Sequence, residues 1–216
     1  MADAAERRAR LATARLYLVI DAAAAPSVVP AALAGGVDLV QLREKHAPDE
    51  EIVRVGGEIL ALCEQHDALF FMNDRPDLAG ACGAHGVHLG QDDEPIECVR
   101  DDMLVGLSTH SPGQVDDAIR SRADYFAVGP VYETPTKAGR PAVGLELVSY
   151  AARQQPDKPW FAIGGIDASN AGEVVDAGAE RLVVVRAIRD SADPAAAAAE
   201  LRSFADSSER VVGQAQ

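Results

Sequence analysis

Residues 69–93 read LFFMNDRPDLAGACGAHGVHLGQDD. Two short apolar runs each end in polar residues, and a stretch able to form a helix separates them. Strand, helix and strand in succession make a parallel βαβ unit. Working outward, the same alternation recurs in LYLVI (16–20), VDLVQLREK (37–45), MLVGLSTH (103–110), YFAVGPVYETPTK (125–137), WFAIGGI (160–166) and RLVVVRAI (181–188). Eight such runs in 216 residues predict a single α/β domain, a (β/α)8 TIM barrel, whose active site is built at the strands' C-terminal ends. The polar clusters lie at those ends. A doubly wound open sheet is the competing arrangement, and it requires one reversal of strand order.

Composition narrows the function classes. A formal net charge of −14 repels nucleic acid and anionic membranes, so an anionic ligand needs locally placed cations. Cys63, Cys82 and Cys98 lack CxxC spacing and are odd in number, which argues against a disulfide framework or a zinc site and for a cytoplasmic protein. Residues 4–14 read as a short amphipathic helix leading into the first strand, without the apolar region of a signal peptide. Pro26 and Pro30 open the next helical unit and Gly35-Gly36 close it. Ile52, Val55, Ile59 and Leu62 have helical spacing between Pro48 and His66. Further helical units are expected after Gly90, Ser111 and Ile166, then over Asn170–Ala177 and Asp193–Phe204, and the tail from about 207 to 216 is expected to fray.

The strand ends carry the chemistry. A period of two in QLREK puts Gln41, Arg43 and Lys45 on one side. An Arg fork and a Lys point charge suit phosphate oxygens, and a Gln amide suits a heterocycle's edge; the bland alternative is a polar layer ion-paired to Glu44. Asn73 and Asp74 end one run, and His88, Gln91, Asp92 and Asp93 end the next. Asp74 and Asp93 arrive from neighbouring strand ends, where two carboxylates suit Mg²⁺ shared with phosphates; Asp74 and Asp92 also suit helix N-caps. His88 reads as a hydrogen-bonded core histidine. Thr134, Thr136 and Lys137 in ETPTK suit a phosphate clamp. Gly165 lets backbone approach an anion closely at a barrel end that often binds phosphate.

Taken together, QLREK, ND, HLGQDD, GLSTH, GPVYETPTK, AIGGI and VVVRAI resemble the thiamine-phosphate synthase family in order and spacing, from about Leu16 to Pro194. The resemblance implies a cytoplasmic transferase of thiamine biosynthesis that joins a pyrimidine diphosphate to a thiazole phosphate with Mg²⁺. It further implies pyrimidine diphosphate contacts from Gln41, Arg43, Lys45, Asn73, Ser108 and Lys137, of which Arg43, Lys45 and Lys137 act in catalysis. Asp74 and Asp93 become the metal ligands. Thr134, Thr136, Gly165, Val185 and Arg186 become the thiazole phosphate contacts, with Arg186 standing where many members carry Ser. Two alternatives are a related thiazole tautomerase using His110 and a non-catalytic thiamine-phosphate-binding protein. The partners expected are these small molecules, with outer helices that leave room for a homo-oligomer and with no nucleic acid or membrane.

Overall fold

In the computed structural model, which describes residues 3–134 and 141–212, with side chains to residue 207, eight parallel strands close on themselves in sequence order. They are β1 (Leu16–Ile20), β2 (Leu39–Leu42), β3 (Leu69–Asn73), β4 (Gly86–Leu89), β5 (Leu104–Thr109), β6 (Tyr125–Val128), β7 (Trp160–Ile163) and β8 (Leu182–Val184). β8 pairs back onto β1 through Leu16↔Leu182 and Tyr17↔Val183, so the sheet is a barrel and the open-sheet alternative falls.

The helices are α1 (Ala4–Thr13), α2 (Ala25–Ala34), α3 (Asp49–Gln65), α4 (Pro76–Cys82), α5 (Pro112–Arg120), α6 (Gly144–Arg153), α7 (Ala171–Asp176), α8 (Arg186–Arg189) and α9 (Pro194–Val212). The helical spacing read in the third unit is realised: α3 buries Ile52, Val55 and Ile59 against the strands. Pro30 lies inside α2 instead of opening it.

One other expectation is corrected. Between β4 and β5 there is only a 3-10 turn, Ile96–Cys98, because Pro95 and a run of acidic residues leave too few apolar side chains to dock a longer helix. α9 is helical through Val212. Cys63, Cys82 and Cys98 are free thiols.

The core has two compartments. Leu18, Val40, Phe70, Val87, Phe126 and Leu182 face outward under the helices. Tyr17, Val19, Leu39, Leu69, Phe71, Leu104, Tyr125, Phe161 and Val183 fill the barrel's inside, and Leu11 and Ala14, from α1 and the residues after it, close its lower end. Alternate residues of each strand therefore enter separate cores, as the period of two requires.

His85, just before β4, is 2% exposed, and its Nδ1 accepts a hydrogen bond from Phe70 N–H at 3.0 Å. That bond needs an unprotonated Nδ1. Burial, aided by Arg7 and Arg10, pushes its pKa down from 6.5 to about 4. A depressed histidine pKa means the unfolded chain binds the extra proton, so stability is complete above pH 6.5 and is lost as pH falls towards 4. The loss should reach about 3 kcal/mol at lower pH. Urea unfolding of His85→Gln across this range should show a flatter pH dependence than the unchanged chain.

Candidate active site

The upper ends of the strands open into a cavity of about 660 Å³. Its lining includes Gln41, Arg43, Lys45, Asn73, Asp74, Asp93, Ser108, Thr134, Gly165, Val185 and Arg186. The residues singled out in sequence thus converge from seven strand ends. Thr136 and Lys137 lie outside the described residues.

On the β2 side, Glu44 turns away from the cations. Its Oε1 accepts from the N–H groups of Lys45 (2.8 Å), His46 (2.9 Å) and Ala47 (3.3 Å), and Oε2 accepts from Ala22 N–H at 3.3 Å. Burial opposes its charge, but these donors outweigh it and hold its pKa below the ordinary value. Glu44 therefore fastens the loop that presents Arg43 and Lys45, and the ion-paired alternative does not hold. Arg43 has no carboxylate partner among the described residues, whereas Lys45 Nζ lies 3.6 Å from Asp74 Oδ2.

Asp74 sits at φ 60°, a left-handed conformation that Asp tolerates better than most residues. It does not cap α4, whose N-cap position is Arg75 and has no side-chain cap bond. Instead its carboxyl meets that of Asp93, which also accepts from Gly90 N–H at 2.6 Å. Burial first, and then Asp93, raise the Asp74 pKa against the opposing pull of Lys45 and Asn73. Two adjoining carboxylates from neighbouring strand ends are oxygen ligands of the kind a hard cation takes. Among the described residues there is no cluster of three or more His, Cys, Asp or Glu that could hold a metal, so a closed zinc-like cage is not present. The pair suits an ion that keeps water and ligand oxygens in its shell, as Mg²⁺ does.

Across the barrel, Gly164 and Gly165 have φ values of 111° and 69°. A Cβ at Gly165 would lie 2.7 Å from Tyr132 Cβ, so only glycine fits. Asn170 Nδ2 donates to Gly165 O at 2.9 Å and pins this turn. Next to it the four-residue α8 begins after Val185, giving the short extra helix that phosphate-binding barrels place beyond strand eight. Arg186 is exposed at its start.

The cavity floor carries the residues that sequence reading missed. Gln41 Nε2 donates to Tyr17 Oη at 2.6 Å, Tyr17 Oη lies 2.9 Å from Tyr125 Oη, and Tyr125 Oη lies 2.9 Å from His88 Nδ1. His88 Nε2 is 2.9 Å from Ser108 Oγ. His88 is thus the hydrogen-bonded core histidine expected, yet it also lines the cavity. Period-two reading puts Tyr17 and Tyr125 on the inner face, but only barrel closure brings together hydroxyls 108 positions apart. His110 also lines the cavity, with Nδ1 against Gly129 O.

Fold and site together define a (β/α)8-barrel enzyme with opposed sets of groups suited to anions in one cavity. The sequence profile described as thiamine monophosphate synthase matches residues 16–188, and the chain belongs to that family of transferases. It is 51% identical over 202 residues to the thiamine-phosphate synthase of Acidothermus cellulolyticus, covering 89% of this chain and 95% of that one. It is 50% identical over 196 residues to that of Thermus thermophilus, covering 87% and 95%. Among solved structures, thiamine phosphate pyrophosphorylase from Pyrococcus furiosus superposes with a TM-score of 0.82 at 34% identity, covering 94% of this chain and 98% of that one. A 3-hexulose-6-phosphate synthase at 20% identity and TM-score 0.64, covering 88% and 99%, shares the fold.

Gly106 makes the floor possible: a Cβ there would overlap the Tyr125 ring, which is fully buried. Gly106→Ala should cost about 1–3 kcal/mol by overpacking, read as a lower urea midpoint.

Proposed function

We propose that this chain joins 4-amino-2-methyl-5-hydroxymethylpyrimidine diphosphate to 4-methyl-5-(2-hydroxyethyl)thiazole phosphate, forming thiamine phosphate and pyrophosphate. The observation that carries the reading is the opposition, across one cavity, of Arg43, Lys45 and the Asp74–Asp93 pair to the Gly165 turn and the start of α8. A diphosphate suits the first set and a monophosphate the second. Their rings then meet between them.

In this reading Gln41 and Asn73 hold the pyrimidine, while Ser108, Arg43, Lys45 and Lys137 bind its diphosphate. Thr134, Thr136, Gly165, Val185 and Arg186 hold the thiazole phosphate. The bond from the pyrimidine's methylene carbon to the diphosphate oxygen breaks, and its electron pair leaves with the diphosphate. The 4-amino group stabilises the resulting cation, and the thiazole nitrogen lone pair forms the new bond to that carbon. No protein nucleophile is required. What the chain supplies is charge stabilisation on the departing oxygens and alignment of the two rings. Asp74 and Asp93 would hold Mg²⁺, which when bound neutralises charge on the leaving group. Arg186 offers a guanidinium where many members offer a hydroxyl, and the adjoining backbone remains available to the phosphate. Among the described residues no helix is long and apolar enough to cross a membrane.

Incubation with both phosphorylated precursors and Mg²⁺, followed by oxidation to fluorescent thiochrome, should give product that disappears when any one component is omitted. No product, with thiazole phosphate still bound in calorimetry, would favour the tautomerase or binding-protein alternative. Arg43→Ala should lower kcat/KM on the order of 10² to 10³, as loss of a preorganised electrostatic donor does.

Asp74→Asn and Asp93→Asn should each raise the Mg²⁺ concentration for half-maximal rate at least roughly tenfold, the effect of losing about 1.4 kcal/mol from one ligand. An unchanged Mg²⁺ titration would remove that residue from the metal site.

A further inference from the structure

Five polar side chains cross the cavity floor in one unbroken line: Gln41, Tyr17, Tyr125, His88 and Ser108. Four of them line the cavity, but Tyr125 does not and is fully buried behind it. Its ring is locked edge-on against Tyr17, Phe71 and Phe161, with centroids 6.0, 5.3 and 5.6 Å away. The hydroxyl, in contrast, is spent on Tyr17 and His88.

The line has a direction. An amide nitrogen only donates, so Gln41 Nε2 fills an acceptor site on Tyr17 Oη. Either phenol could donate in the Tyr17–Tyr125 bond, and the arrangement that keeps both phenol hydrogens within the line has Tyr17 donating to Tyr125 Oη and Tyr125 donating to His88 Nδ1. Nδ1 as acceptor puts the His88 proton on Nε2, which donates to Ser108 Oγ. The Ser108 hydrogen is left for a ligand. At the other end, Gln41 Oε1 is left to accept from one. Burial raises the pKa of both phenols, so both keep the hydrogens that this direction needs.

We propose that Tyr125 is a positioning residue: it fixes the Nε2–H tautomer of His88 and so makes Ser108 a hydrogen donor to the leaving diphosphate, while the other end of the line makes Gln41 an acceptor for the pyrimidine amino group. This rests on the synthase reading for the identity of the ligands, but the direction of the line does not depend on it. A substrate with an amino donor at one end and an anionic oxygen at the other matches this polarity. With the reverse polarity, Gln41 Oε1 is occupied by Tyr17 and the Ser108 hydrogen by His88.

The test pairs a spectroscopic readout with kinetics on the full chain. Long-range ¹H–¹⁵N spectra of protein labelled in its histidine rings, with the His88 signals assigned by their loss in His88→Gln, should show a proton on Nε2 and a bare Nδ1. Tyr125→Phe keeps the ring and removes the hydroxyl. It should shift the His88 Nδ1 signal and lower kcat about tenfold, the worth of one hydrogen bond, with KM for the thiazole phosphate within about twofold. Thermal unfolding checks that the variant is folded.

A His88 proton on Nδ1 in the unchanged chain overturns the proposal and needs no variant to do so. In a folded Tyr125→Phe, an unchanged kcat or unchanged His88 ring signals also overturn it. A purely structural Tyr125 would lower stability and leave the tautomer alone. If the unchanged chain makes no thiamine phosphate, the synthase reading fails, and with it the assignment of the two ligands; the tautomer measurement still decides the direction of the line.

Discussion

Pairing of β8 with β1 puts every second residue of eight strands on a common axis, and position along a strand becomes depth in the barrel. In β2 and the loop after it, Leu39, Gln41 and Arg43 follow one another from floor to mouth. β3 places Leu69, Phe71 and Asn73 in the same order, and β5 places Leu104, Gly106 and Ser108. Apolar packing at the bottom, aromatic packing in the middle and polar groups on top are one pattern repeated around a ring. The small residues belong to it, since Gly86 and Gly106 leave the volumes that the Phe71 and Tyr125 rings occupy. A packed lower half is what permits an open upper half, because it keeps the strands apart at a set distance below the cavity.

That same constraint decides what the sequence reveals. Period two along QLREK is enough to align Gln41, Arg43 and Lys45, because all three come from one strand and the loop continuing it. Asp74 and Asp93 were legible because they follow consecutive strands and share a chemistry. The Tyr17–Tyr125 contact was not legible, since each Tyr read alone is an ordinary inward-facing aromatic and their meeting depends on closure and register. Glu44 was misleading for a different reason. It alternates to the opposite side from Arg43 and Lys45, as read, yet its carboxylate is satisfied by backbone N–H groups whose positions only the folded loop supplies. The connection after β4 is too acidic and too short of apolar side chains to pack as a helix, so its length alone is misleading.

Electrostatics shows where fold and function pull apart. In a chain of net charge −14, Arg43 is left without a carboxylate partner among the described residues, while Asp74 is pressed against Asp93 in a left-handed backbone conformation. Neither arrangement favours folding. Both would become favourable if, as proposed, a cation and an anionic ligand bound together, because each would supply the charge the other side lacks. In that reading such local conflicts with an otherwise consistent fold are places where stability is given up for binding.

The floor resolves the conflict differently. Gln41 at 4% exposure and His88 and Ser108 at 6% are too buried to be left unbonded without cost. Bonding each one to its own ligand group alone would leave it held only by exchanging water whenever no ligand was bound. Linking them through two phenols satisfies them internally and leaves one acceptor and one donor facing outward. The orientation of those two groups is then paid for during folding, so a ligand meets dipoles that need little reorganisation, the condition under which a buried hydrogen bond contributes most to a reaction that separates charge.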